Sequence, residues 1–221
     1  MCTVTIIRNR NSLDLYMNRD ERHERKQEKP PAHHWDNDIL APLDPQSNGT
    51  WIAVNTKTKN WGALLNGYTN TAPTNPIKSR GQILLNLLKE HDPEHELQAM
   101  ELNSFASFKI IVNAKLFHWD GETLKQKDFH AQNGESFFET SSSYKQNEVI
   151  EIRKTLFENW MENGKPLNEN GIPALHVNPD PNPETAILMH RDYSRTKSIT
   201  HLHIGEGAPA MTCFLHPADQ L

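Results

Sequence analysis

Two short apolar alternations at the start of the chain restrict its fold more than any other feature. Thr3 to Arg8 alternates around Val4, Ile6 and Ile7, and Leu13 to Met17 repeats the pattern as Leu13, Leu15 and Met17. Asn9-Arg10-Asn11-Ser12 between them has turn composition. The pattern predicts a β-hairpin with Cys2 at its open end. Whatever follows Met17 then returns beside Cys2.

Cys2 follows the initiator methionine directly and becomes N-terminal once Met1 is removed. Such a residue carries a thiol and a free α-amine whose reference pKa lies near ~7.7–8.0. The amine is a general base for its own nucleophile at neutral pH. The plainer alternative is a small buried thiol that opens a strand.

The rest of the 221-residue chain reads as further strands with few helices. Strands are predicted at Thr50–Asn55, Trp61–Leu65, Phe108–Ala114, Leu116–Trp119, Phe137–Ser142, Ala186–His190, Lys197–Ile204 and Ala210–Leu215. Asn66-Gly67 is expected to turn tightly with positive φ, and Asp120-Gly121 to close a hairpin. Ser79-Arg80-Gly81-Gln82 fits a capping box before Ile83, Leu84, Leu87 and Leu88, and a second short helix follows over Glu94–Leu102. Asn147 is placed to cap a long helix with a stripe of Val149, Ile152, Leu156 and Trp160, widened by Phe157. Ala32 to Asn48, Pro73 to Pro76 and the stretch to Pro183 read as loops. No linker forces a split, so one domain over 1–221 is expected, with antiparallel sheets carrying helices on their outer faces.

Net charge is −5 with His neutral, which gives no nucleic-acid footprint. Hydrophobic residues are only 36% of the chain and no run approaches a membrane span. Two cysteines, Cys2 and Cys213, form no disulfide framework or zinc spacing. With no secretory signal visible, a cytoplasmic protein acting on a small molecule, without cofactor, is expected.

Three stretches carry candidate chemistry. Asn18-Arg19-Asp20-Glu21 sits at the end of the second strand, with Asn18 and Asp20 on one face and Arg19 on the other. An acid there orients the α-amine, and the guanidinium holds a substrate carboxylate or favours a thiolate. Asn66 with the Gly67 backbone N–H supplies the donors an oxyanion hole needs. His201 and His203 share one strand face, compatible with a metal, but no third ligand is identifiable and no metal is assigned.

Met1-Cys2, the Asn18-Arg19-Asp20-Glu21 tetrad, Gly49-Thr50-Trp51 and Ala63-Leu64-Leu65-Asn66 resemble, in this order, the NRDE family, also called transport and Golgi organisation 2 homologues. Thr140-Ser141-Ser142 and Leu188-Met189-His190-Arg191 extend the resemblance over nearly the whole chain. It implies an α+β four-layer αββα sandwich like that of N-terminal nucleophile (Ntn) hydrolases. It further implies a hydrolase of linear amide C–N bonds acting through an acyl-enzyme, as bile-salt and penicillin acylases do. Cys2 is then the nucleophile, Arg19 and Asp20 the orienting pair, and Asn66 and Gly67 the oxyanion donors. Asn18, Ser141 and Ser142 are expected to contact substrate. Two departures stand out. Those acylases separate their Arg and Asp by two residues, and longer family members carry Ser-Asn where this chain has Thr140-Ser141-Ser142.

The alternative is a non-catalytic binding or trafficking protein on the same scaffold, since eukaryotic members are connected with secretory organisation and with haem or lipid handling. A glutamine-amidotransferase-like domain also begins Met-Cys but continues with Gly, where this chain has Thr3.

Overall fold

A computed structural model describes residues 2–35, 37–69, 78–129 and 134–215. Met1 and the Pro73–Pro76 loop therefore lie outside the described residues. In chain order the elements are β1 (Cys2–Arg8), β2 (Leu13–Arg22), β3 (Lys29–Ala32), β4 (Ile39–Leu43), β5 (Ile52–Asn55) and β6 (Trp61–Asn66). Helices α1 (Gly81–Leu87) and α2 (Pro93–Ala99) follow, then β7 (Phe108–Val112), β8 (Lys115–Trp119), β9 (Leu124–Asp128) and β10 (Ser136–Ser141). The chain continues with α3 (Gln146–Glu162), α4 (Ala174–Val177), β11 (His190–Arg191), β12 (Ser194–Ile204) and β13 (Ala210–Leu215).

The strands form two antiparallel sheets. The first runs β10-β1-β2-β12-β11 with β13 also paired to β12, and the second runs β3-β4-β5-β6-β7-β8-β9. Alternation along β1 and β2 sends Val4, Ile6, Leu13, Leu15 and Met17 into a shared core with Val54, Trp61, Leu65 and Ile111 of the second sheet. Each fully buried aliphatic side chain there stabilises the fold by about 1.5–3 kcal/mol. The outer face of the second sheet packs Phe108, Ile110 and Phe117 against Ile83, Leu84, Leu87 and Leu97 of α1 and α2. The outer face of the first sheet meets α3 and α4. The result is the αββα order of layers that the resemblance implies.

The departures from expectation have local causes. β2 runs on to Arg22, so the charged tetrad lies inside the strand and not beyond it. β3 and β4 occupy part of the stretch read as loop; Pro30 and Pro31 are tolerated because β3 is an edge strand. β9 is polar because it is the opposite, solvent-facing edge. The capping box does not form: α1 starts from Arg80 without a side-chain cap, and the Gln82 amide donates to the Asn48 carbonyl. Asn147 caps nothing either, since α3 begins one residue earlier behind Lys145 at φ 39°. Of the strand expected from Ala186 to His190, only His190 pairs, within β11. Gly67 does not take positive φ. It must be glycine because a Cβ there would sit 2.7 Å from the Phe108 nitrogen and from the Ser107 carbonyl carbon.

Candidate active site

Hairpin register sets the site. Cys2 pairs with Arg19 of β2 on one side and with Ser141 of β10 on the other, so these three side chains share the face that looks toward the second sheet. Asn18 and Asp20 point the opposite way, toward α3 and α4, as the alternation predicts. One bulge completes the arrangement. β12 shifts register against β2 between Thr196 and Ser198, so Thr196 stands opposite Asp20 while Ser198 stands opposite Arg19. Thr196 Oγ1 donates to Asp20 Oδ1 at 2.7 Å, and Ser198 pairs with the Glu28 carboxylate.

Cys2, Arg19 and Asp20 line a cleft of about 470 Å³ between the ends of the two sheets. Asn66 reaches it from the end of β6, with Thr50, Trp51, Tyr68 and Arg80 forming the wall on that side. The Asn66 amide makes no hydrogen bond to any described residue and is therefore available to a ligand. Burial pushes the Cys2 thiol up from its ordinary value, and the Asp20 charge adds to this against the backbone N–H of Asp20. Burial also pushes Cys213 up. The resting thiol at Cys2 is thus protonated and needs a base.

Arg19 is not free to seize a substrate. Its Nη1 donates to Glu28 at 3.2 Å and its Nη2 to Asp44 at 3.1 Å, with the guanidinium 4.6 Å above the Trp51 ring. Asp44 also accepts from Arg25 Nε at 3.0 Å and from the Gln46 N–H. Burial works to raise the Asp44 carboxyl, but these donors hold it below the usual carboxylate range. Asp20 is bound from the helix side by Arg153 of α3, at 3.5 Å.

The other expected contacts are placed elsewhere. Asn18 is fully buried and bridges the His176 and Ile187 carbonyls and the His176 ring. Gly67 is absent from the cleft wall, and its N–H donates to the Ser107 carbonyl at 2.9 Å, so it leaves Asn66 without a backbone partner for an oxyanion. Ser142 folds back on Tyr144, donating to its carbonyl at 2.7 Å. Ser141 stays beside Cys2, and its buried hydroxyl has no hydrogen-bond partner among the described residues.

Arg80 is a cleft residue that sequence reasoning missed. It precedes α1, donates Nη1 to the Ser107 carbonyl at 2.8 Å, and forms no ion pair with any described carboxylate. Burial lowers its pKa, while Tyr68, Cys2 and Glu21 oppose the shift. A guanidinium stays charged even so. Its only signal in the sequence was a place inside an apparent cap.

Comparisons with known proteins bear on family and fold. A sequence model of the family described as Transport and Golgi organisation 2 matches residues 1–173. No curated protein matches the chain. Among solved structures, the Caenorhabditis elegans N-acylethanolamine-hydrolyzing acid amidase ortholog is similar in fold, with TM-score 0.60 at 11% identity over 98% of this chain and 100% of that one. No helix among the described residues is long and apolar enough to cross a membrane.

Proposed function

Since the chain belongs to the Transport and Golgi organisation 2 family and has an Ntn-hydrolase-like fold, we propose that it is an amidase whose nucleophile is Cys2. The observation that carries this reading is the cleft that gathers Cys2, the Arg19 and Asp20 of the tetrad, and an unengaged Asn66 amide. The solved neighbour is named for hydrolysing N-acylethanolamines, which are linear amides.

With Met1 removed, the α-amine of Cys2 takes the thiol proton as the sulfur attacks the amide carbonyl. The Asn66 amide donates to the oxyanion that forms, and its removal is expected to cost about 3–4 kcal/mol of barrier. Collapse breaks the C–N bond, and the leaving nitrogen takes the proton back from the α-ammonium. Water then hydrolyses the thioester, releasing the acid and restoring Cys2. Arg19, clamped by Glu28 and Asp44, is held in place on the sheet face that Cys2 shares and rigidifies that end of β2.

Intact mass spectrometry tests the first step. Purified protein is expected to lack Met1 and, after acid quenching with an N-acyl amide, to carry the acyl mass on the Cys2 peptide. The Cys2→Ala variant should carry none. Retained Met1, or an acyl mass that survives in Cys2→Ala, sinks the mechanism.

Arg80 favours substrates with an anionic group. Arg80→Gln is expected to raise KM about 10–100-fold for an N-acyl glycine while changing the neutral N-acylethanolamine of the same chain length by less than about threefold. Steady-state kinetics on the matched pair measure this, and equal effects on both substrates refute the assignment.

A further inference from the structure

At the end of the first sheet away from Cys2, β2 and β12 bring together two imidazoles and a carboxylate. Asp14 lies directly across from His203, and His201 stands two residues along the same face, across from Tyr16. Asp14 Oδ1 accepts from His201 Nε2 at 2.9 Å and from His203 Nδ1 at 2.8 Å. The three potential ligand atoms all lie within 4.8 Å of one another. Six residue steps along β2 take the chain from Asp14 to Asp20, roughly 20 Å at strand rise, so this cluster is distinct from the cleft.

From these positions we infer a divalent transition-metal site, of the zinc type, with Asp14, His201 and His203 as its protein ligands. Three strand-borne donors of mixed nitrogen and oxygen type suit Zn²⁺, which binds imidazole at about 2.0–2.1 Å and carboxylate at about 2.0–2.2 Å. In tetrahedral geometry such ligands stand about 3.4 Å apart. The two N···O spacings must widen by about half an ångström to reach it, a rotation of side chains that leaves the strands in register. Each imidazole turns one ring nitrogen toward Asp14 Oδ1. With a metal bound, His201 would keep its proton on Nδ1 and His203 on Nε2, so that the inward lone pairs are free.

Two further features prepare the site. The His201 ring stacks on Tyr16 at 4.3 Å and 7°, and the Tyr16 hydroxyl donates to the Gly171 carbonyl at 3.1 Å, which fixes the imidazole. His203 is 45% exposed at its side chain and leaves the outer position open to water. Bound metal would pin β2 to β12, the strands on which the tetrad and Thr196 are carried.

The test uses the full chain stripped of metal and titrated with Zn²⁺ by calorimetry and with Co²⁺ by visible absorption. One equivalent is expected to bind with a dissociation constant at or below the low micromolar range, and Co²⁺ should give a tetrahedral d–d spectrum. Asp14→Asn, His201→Gln and His203→Gln should each weaken binding at least tenfold, whereas the control His33→Gln should not. Zn²⁺ should also shield His201 and His203 of the wild type from diethyl pyrocarbonate, mapped by peptide mass, which needs no variant to fold. Absence of a saturable equivalent, equal affinity in His203→Gln, or unshielded histidines would each overturn the site.

Discussion

Replacing Arg153 by methionine is expected to destabilise the protein by about 3–5 kcal/mol, a large share of the stability of any domain. Arg153 has no exposed surface, although α3 is otherwise an outer-layer helix. Its Nε donates to the Thr185 carbonyl at 3.1 Å and its Nη2 to the Ala186 carbonyl at 2.6 Å. Its Nη1 reaches the hydroxyls of Thr3 at 2.9 Å and Thr140 at 3.1 Å, and Asp20 lies at 3.5 Å. Methionine fills the volume but removes every donor, so two buried carbonyls lose their partner and Asp20 loses one of its contacts. Lysine should recover little, because one ammonium cannot reproduce a planar fork directed at three strands and a loop. Urea unfolding of wild type, Arg153→Met and Arg153→Lys measures the effect, and a loss below about 1 kcal/mol for methionine would show that the network is dispensable. Thr3 and Asp20 flank Cys2 and Arg19 in sequence, so the same variant should also blunt acyl transfer.

Arg153 illustrates which parts of the molecule sequence reading reaches. The apolar stripe of α3 was visible as Val149, Ile152, Leu156 and Trp160, yet of these only Val149 and Trp160 are buried, and Arg153 lies between them on the inward side. A cation four residues after Val149 was itself the signal. Periodicity arguments count hydrophobes and treat charges as solvent-facing, so a buried cation does not register in them. The hairpin behaved differently. Period-2 alternation fixes which way each side chain points, so Cys2, Arg19 and the opposed Asn18 and Asp20 could be placed from residue order alone.

Contacts made by irregular segments were out of reach for the same physical reason. Glu28 and Asp44 hold Arg19, but one follows a run of charges and the other sits between prolines, where no period applies. Gly67 misled because Asn-Gly usually means a hairpin turn. Here the glycine admits close approach of β7, and its N–H is committed to Ser107. The third ligand beside His201 and His203 was hidden by topology, since nothing in the order of residues says that β12 pairs with β2. The match of the family to 1–173 also leaves out β11, β12 and β13, the strands that supply Thr196, Ser198 and both histidines.

Acid should unfold this protein earlier than its carboxylates require, and His176 is the reason. Its ring is fully buried, with Nδ1 donating to Asn18 Oδ1 and Nε2 accepting from the Thr5 hydroxyl at 2.8 Å, the only tautomer that satisfies both neighbours. Burial alone lowers its pKa from 6.5 to about 3. The unfolded chain therefore binds a proton below pH 6.5 that the folded chain refuses until about pH 3. Stability rises with pH across that window and falls on acidification by about 1.4 kcal/mol per unit, reaching on the order of 5 kcal/mol at its lower end. Asp44 and Asp14, with folded pKa values held below the ordinary one, contribute stability that is lost only as pH drops below about 4, so they act later. Between pH 6.5 and 4.5 the His176 effect should stand apart, at about 2–3 kcal/mol. His176→Gln should be less stable than wild type at pH 7, where it loses ring packing against Tyr16, yet should lack this slope. Denaturant unfolding of both proteins at pH 7.0, 5.5 and 4.5 decides the matter: parallel profiles would mean that another group carries the acid sensitivity.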